Sequence, residues 1–182
     1  PITNDSFIDR LSPAIRARWL KLKSAVARAL KLYMDVFLPL VKNKQFNNTA
    51  VRMELKERHN GFKQLTSADL ERAEHFIFRK MQRESFTDEY ELVKKGKPIR
   101  NKEFSQLSVF MDRQEILRIN SRVNLNSTSF PQQFVPVLPR KNRIIHVLLM
   151  YYHEKYKHIA VEAQLAELRT RCWIPQIRHS MR

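Results

Sequence analysis

Apolar residues recur at spacings of three and four along "SPAIRARWLKLKSAVARALKLYMDVF": Ile15, Trp19, Leu22, Val26, Leu30, Tyr33 and Phe37. That spacing lays a single apolar stripe along an α-helix, because successive residues turn by about 100°. Ser12 as N-cap and Pro13 at the first helical position mark its start. Arg16, Lys23, Arg28 and Lys31 fall off the stripe and predict a solvated back. The polar stretch "VKNKQFNNTA" lacks periodicity and predicts a joint between helical elements. A second long helix restarts in "TSADLERAEHFIFRKMQRESF" after Thr66 or Ser67, with Asp69 near the positive helix end and Leu70, Ala73, Ile77 and Met81 on one face. "TDEYELVKKG" continues it and stops at Gly96.

The period then changes. In "LSVFMDRQEILRINSRV", Val109, Phe110 and Met111 and then Ile116, Leu117 and Ile119 flank the polar "DRQE", which predicts a short β-hairpin. Pro131, Pro136 and Pro139 make "FPQQFVPVLPRKN" an extended connector that cannot be a central strand or a helix. Three short helical patterns follow, in "RIIHVLLMYYHE", "VEAQLAELRTRCW" and "PQIRHSMR". The predicted fold is mainly α with a small β-hairpin, divided into residues 1–60, 61–134 and 135–182.

Charge changes the picture more than length does. Among 182 residues, 34 Lys and Arg face 18 Asp and Glu, a formal net charge of +16. A chain this basic attracts polyanions, and nucleic acid is the commonest one inside cells. From residue 140 onward there are nine Lys or Arg against three Glu. Arg169, Arg171 and Arg178 are the candidate phosphate contacts in that stretch. No apolar run reaches the roughly 18 residues that cross a bilayer, and no signal-peptide layout opens the chain. The sequence therefore predicts a soluble, intracellular protein with no membrane partner and no small-molecule substrate. One cysteine, Cys172, excludes an internal disulfide and any metal site built from this chain's cysteines alone. Its neighbour Trp173 and helical setting predict a small core residue. Pro1 without an initiator methionine, and Arg182 inside a helical pattern, predict a fragment of a longer polypeptide.

His153 and His158 are the candidate metal ligands. Five positions of unbroken helix would point them about 140° apart, so they share an ion only if the helix ends between them. A structural zinc wants four protein ligands, and these two are at most half of that set. The competing reading is a pair of exposed or core-edge histidines. His146 is expected to pack or cap. Asp112, Glu115, Glu154 and Glu162 lack any metal spacing, and no glycine-rich phosphate loop, nucleophile elbow or Cys/His pair is present.

Taken in order, "ERAEHFIFRKMQRESFTDEYELVKKG", "LSVFMDRQEILRINSRV" and "VPVLPRKNRIIHVLLMYYHEKYKHIAVEAQLAELRTRCWIPQIRHSMR" resemble the polyproteins of BEL/Pao-type LTR retrotransposons. The similarity covers residues 62–182, the region between the RNase H part and the integrase core that runs into the integrase zinc-binding domain. Residues 1–60 fit the helical stretch upstream more loosely. The resemblance carries His153 and His158 onto the two histidines of the family's His-His-Cys-Cys zinc site. It carries Leu165, Leu168, Arg169, Trp173 and Arg178 onto the helices that pack around the metal, and it places Cys172 on an aromatic core position. The family's two cysteines would follow Arg182. Ala160 stands where the family has glycine after the second histidine, and Glu115, Asn120 and Ser121 replace the hairpin's glycines, although such positions favour a residue free to take positive φ.

The resemblance implies long amphipathic helices followed by a truncated three-helix zinc-binding bundle, and a non-catalytic integrase-associated module whose catalytic core lies downstream. It implies zinc as cofactor, DNA at the element ends as partner, self-association as part of integrase, and a nuclear site of action. The rival expectation is a domesticated or decayed helical scaffold with neither zinc nor a DNA role.

Overall fold

The computed structural model describes residues 14–42, 47–57, 64–99, 101, 104, 107–120, 134–156 and 161–180. It is mainly helical with one small antiparallel sheet. Residues 20–77 form one compact unit, and residues 1–19 and 78–182 are grouped in another.

The predicted amphipathic helix is α1 (Ala14–Leu32), which belongs to the first unit from Leu20 onward and passes into a π turn (Tyr33–Phe37) and then α2 (Leu38–Lys42). Ser12 and Pro13 lie outside the described residues, as do the side chains of Ile15 and Arg16. The π turn closes through Leu38 N–H donating to the Tyr33 carbonyl, one residue wider than an α turn. Such a turn shifts the buried face by about one position. Accordingly Val36 and Leu40 are buried below it, while Tyr33, expected on the stripe, is 55% exposed.

Two lysines expected on the solvated back are tied down instead. Lys23 Nζ lies 2.9 Å from Glu74, and Lys31 Nζ lies 3.5 Å from Asp69. Both carboxylates belong to α4 (Ser67–Ser85). The joint leads to α3 (Asn48–Glu57), where Asn47 Oδ1 accepts from Ala50 N–H as an N-terminal cap. α4 begins where predicted, with a reciprocal capping pair. Asp69 N–H donates to Thr66 Oγ1 at 3.2 Å, and Thr66 N–H donates to Asp69 Oδ2 at 3.0 Å.

In the second unit, α5 (Thr87–Lys94) follows α4 after a break at Phe86. It ends at Gly96, whose φ of +66° needs a residue without Cβ strain. Gly96 N–H reaches the Val93 carbonyl and Lys97 N–H the Leu92 carbonyl, the paired bonds of a Schellman cap. The hairpin forms as β1 (Val109–Met111) and β2 (Leu117–Asn120), and the proline connector adds a third strand, β3 (Phe134–Pro136). The order is β1-β2-β3, all antiparallel, with Arg118 opposite Pro136. The hairpin is thus extended to a three-stranded sheet. Proline 136 remains at an edge, where its missing N–H costs no ladder bond.

Glu115 closes the β1–β2 turn with φ +58°, the left-handed position for which glycine is the usual residue. Asp112 organises the same turn, its Oδ1 accepting from Gln114 N–H at 2.8 Å and Ile116 N–H at 2.9 Å. Its Oδ2 pairs with Arg118. The core under the sheet joins Phe86, Tyr90, Phe104, Leu117, Ile119, Val135 and Val137, with Trp173 packed against it. The C-terminal helical patterns become α6 (Arg143–Lys155), α7 (Val161–Arg171) and the short α8 (Ile177–Ser180). Asn142 caps α6 by accepting from Ile144 N–H at 2.8 Å.

Candidate metal ligand and nucleic-acid interface

His153 lies in the last turn of α6, half-buried, two residues before the helix ends at Lys155. Its Nδ1 is 3.2 Å from Oε1 of Gln164, a fully buried residue in the first half of α7. The contact joins a ring nitrogen of α6 to a side-chain amide of α7. A ring fixed in this way by a second residue is the arrangement that zinc-binding histidines commonly use. His158, the predicted companion of His153, lies outside the described residues. Among the described residues no group of three or more His, Cys, Asp or Glu is placed to hold a metal. Cys172 is buried at 3% exposure, matching its expected packing role.

The three candidate arginines separate into two groups. Arg169 and Arg178 line one cavity of about 450 Å³, together with Val135, Trp173, Ile174 and Ile177. Arg171, two residues beyond Arg169 on α7, faces elsewhere and pairs with Glu167 at 3.2 Å. Attraction towards the Tyr152 phenol oxygen is the largest influence on it, opposed by partial desolvation and reinforced by Glu167, and the balance raises an already high pKa. Arg178 Nη2 lies 3.1 Å from Glu162, with both side chains more than half exposed. Arg169 is exposed and makes no hydrogen bond or ion pair to any of the described residues. All three thus present cationic heads to solvent, which is the requirement for phosphate contact.

Gln164 and the cavity-lining Val135, Trp173, Ile174 and Ile177 are participants that pattern reading did not single out as site residues. Gln164 had one weak signal, a polar residue in the apolar run that continues through Leu165 and Leu168. No helix among the described residues is long and apolar enough to cross a membrane. No family model, curated protein or solved structure matches this chain.

Proposed function

We propose that this chain is the linker and zinc-binding region of an LTR-retrotransposon integrase, a non-catalytic module that binds DNA electrostatically and supports assembly on element ends. The observation that carries the reading is the His153–Gln164 contact, in which a residue of α7 fixes the ring of the first candidate ligand at the end of α6. The order of elements supports it as well: helix, hairpin, extended proline connector, then three helices. In the proposed site His153 and His158 supply two nitrogen ligands, and the chain's single cysteine, buried in the core, is no third. The remaining ligands belong to sequence outside these residues or to a second molecule. Zinc there would fasten a small bundle that has little core of its own.

DNA binding rests on the net charge of +16 and on Arg169, Arg171 and Arg178 at the surface. The test is fluorescence anisotropy of the 182-residue chain on duplex DNA across a range of salt. Three phosphate contacts predict a log–log slope of about −3, since each contributes roughly −0.9. Binding that is unchanged by salt would overturn the reading.

A helical scaffold is the second reading. Tyr33, Met34, Val41 and Met53, all more than two-fifths exposed in the unit of residues 20–77, favour it.

A further inference from the structure

The cavity holding Arg169 and Arg178 has a composition that plain phosphate binding does not explain. It opens where the end of β2, the start of β3 and the corner between α7 and α8 come together. Its floor is apolar, with Val135, Ile174 and Ile177 each no more than 6% exposed. Trp173 forms one wall, its ring half-buried and set 6.1 Å from the Phe104 ring. The two guanidinium groups stand at the rim, and no carboxylate is among the described residues that line it. Gln176 makes this corner possible. Its φ of +49° reverses the chain between Ile174 and Ile177, and its amide is held by Arg140 at 2.7 Å. A left-handed non-glycine residue is a strained choice of the kind that clusters at binding sites.

An apolar slot with an aromatic wall and two cations at its mouth fits a flat, apolar group that carries negative charge beside it. The volume of about 450 Å³ lies in the range of roughly 300–1,000 Å³ typical of small-ligand sites. Bases stacked inside a duplex cannot offer a face to it, whereas an unpaired base can, and such bases settle readily on aromatic and guanidinium planes. The Arg178–Glu162 pair is no obstacle, because exposed ion pairs contribute little and exchange easily for phosphate. We propose that this cavity takes one unpaired nucleotide at a nucleic-acid end, with the base against Trp173 and the flanking phosphates on Arg169 and Arg178. The inference deepens the DNA-binding reading above and rests on it.

The test compares binding of the 182-residue chain to a blunt duplex and to the same duplex with a short single-stranded overhang. One stacked base predicts about tenfold tighter binding of the overhang. The double variant Arg169→Gln, Arg178→Gln should abolish that preference. A control, Arg113→Gln with Lys141→Gln, removes equal charge from exposed positions outside the cavity and should retain it. A 5-iodouracil placed in the overhang should photocrosslink to the peptide spanning residues 172–178. Equal, salt-dependent binding of blunt and overhanging DNA would overturn this inference and leave the electrostatic reading standing. No salt-dependent binding of either would overturn both. Crosslinking elsewhere, or displacement of the overhang by an acidic phenylalanine-containing peptide and not by a single-stranded oligonucleotide, would overturn the nucleotide assignment.

Discussion

The side-chain amide of Gln82 stands opposite Leu117 as though it were a further peptide of the sheet. Gln82 Nε2 donates to the Leu117 carbonyl at 2.9 Å and to the Val137 carbonyl at 2.7 Å, while its Oε1 accepts from Leu117 N–H at 2.8 Å. The residue is fully buried and lies in α4, so one side chain joins a helix to two separate stretches of extended backbone. Buried amides persist only when their partners are all supplied, as they are here.

Replacing Gln82 by leucine keeps its bulk but strands Leu117 N–H and the Val137 carbonyl. Two buried backbone groups without partners predict a loss of roughly 2–4 kcal/mol. Urea unfolding would show this as a lower midpoint at unchanged slope. A loss below about 1 kcal/mol would mean that the sheet does not depend on the amide.

Thr66→Ala removes the hydroxyl that accepts from Asp69 N–H and donates to Asp69 Oδ2 at 2.9 Å. A lost N-cap costs about 1 kcal/mol, and Thr66→Ser should recover most of it. Circular dichroism melts of the three proteins are the check, and equal melting of threonine and alanine forms would refute it.

Acid should destabilise the fold in a window set by its paired carboxylates. Hydrogen bonds from the Thr66 backbone and hydroxyl hold Asp69 below its usual value of 3.8. For Asp112, burial opposes ionisation, but hydrogen bonds from Arg118 and from the Ile116 and Gln114 amides outweigh it and also leave the carboxyl lowered. A depressed folded-state pKa means that the folded form binds fewer protons. The stabilisation is therefore complete above the unfolded value, near pH 4, and is lost as pH falls through the folded one. Denaturant midpoints measured between neutral pH and pH 3 should fall in that lower range, and less steeply for Asp112→Asn.

Zinc binding by the 182-residue chain should be weak, because two histidines fill half of a tetrahedral set. Gel filtration followed by elemental analysis should find well under one zinc per chain, and His153→Gln should reduce it further. Stoichiometric zinc retained through the column would show that the remaining ligands are already present.

Much of the fold is legible in the sequence where the signal is local. Thr66 and Asp69 lie three residues apart, and the polar DRQE sits between two apolar runs, so the helix start and the hairpin can be read directly. Gly96 marks a helix end for a similarly local reason. β3 is less visible, since Pro136 argues against a strand and its partners at Arg118 to Asn120 are remote in the chain. The π turn leaves no trace in composition, yet it decides that Tyr33 faces outward. The candidate site divides in the same way. Arg169, Arg171 and Arg178 are visible as charge, but only the corner at Gln176 brings two of them to one cavity. The hold of Gln164 on His153 joins two helices, and no single stretch of sequence records it.

Beyond β3, the sheet is closed by a residue from far along the chain. Trp173 N–H donates to the Pro136 carbonyl at 2.9 Å, and Leu138 N–H donates to the Trp173 carbonyl at 2.8 Å. During synthesis the hairpin can form as soon as β2 has emerged, but this edge must wait until Trp173 leaves the ribosome. Until then β3 is an open edge that another chain could pair with. Closing it late makes the tryptophan a latch whose engagement follows the slower, non-local steps of folding.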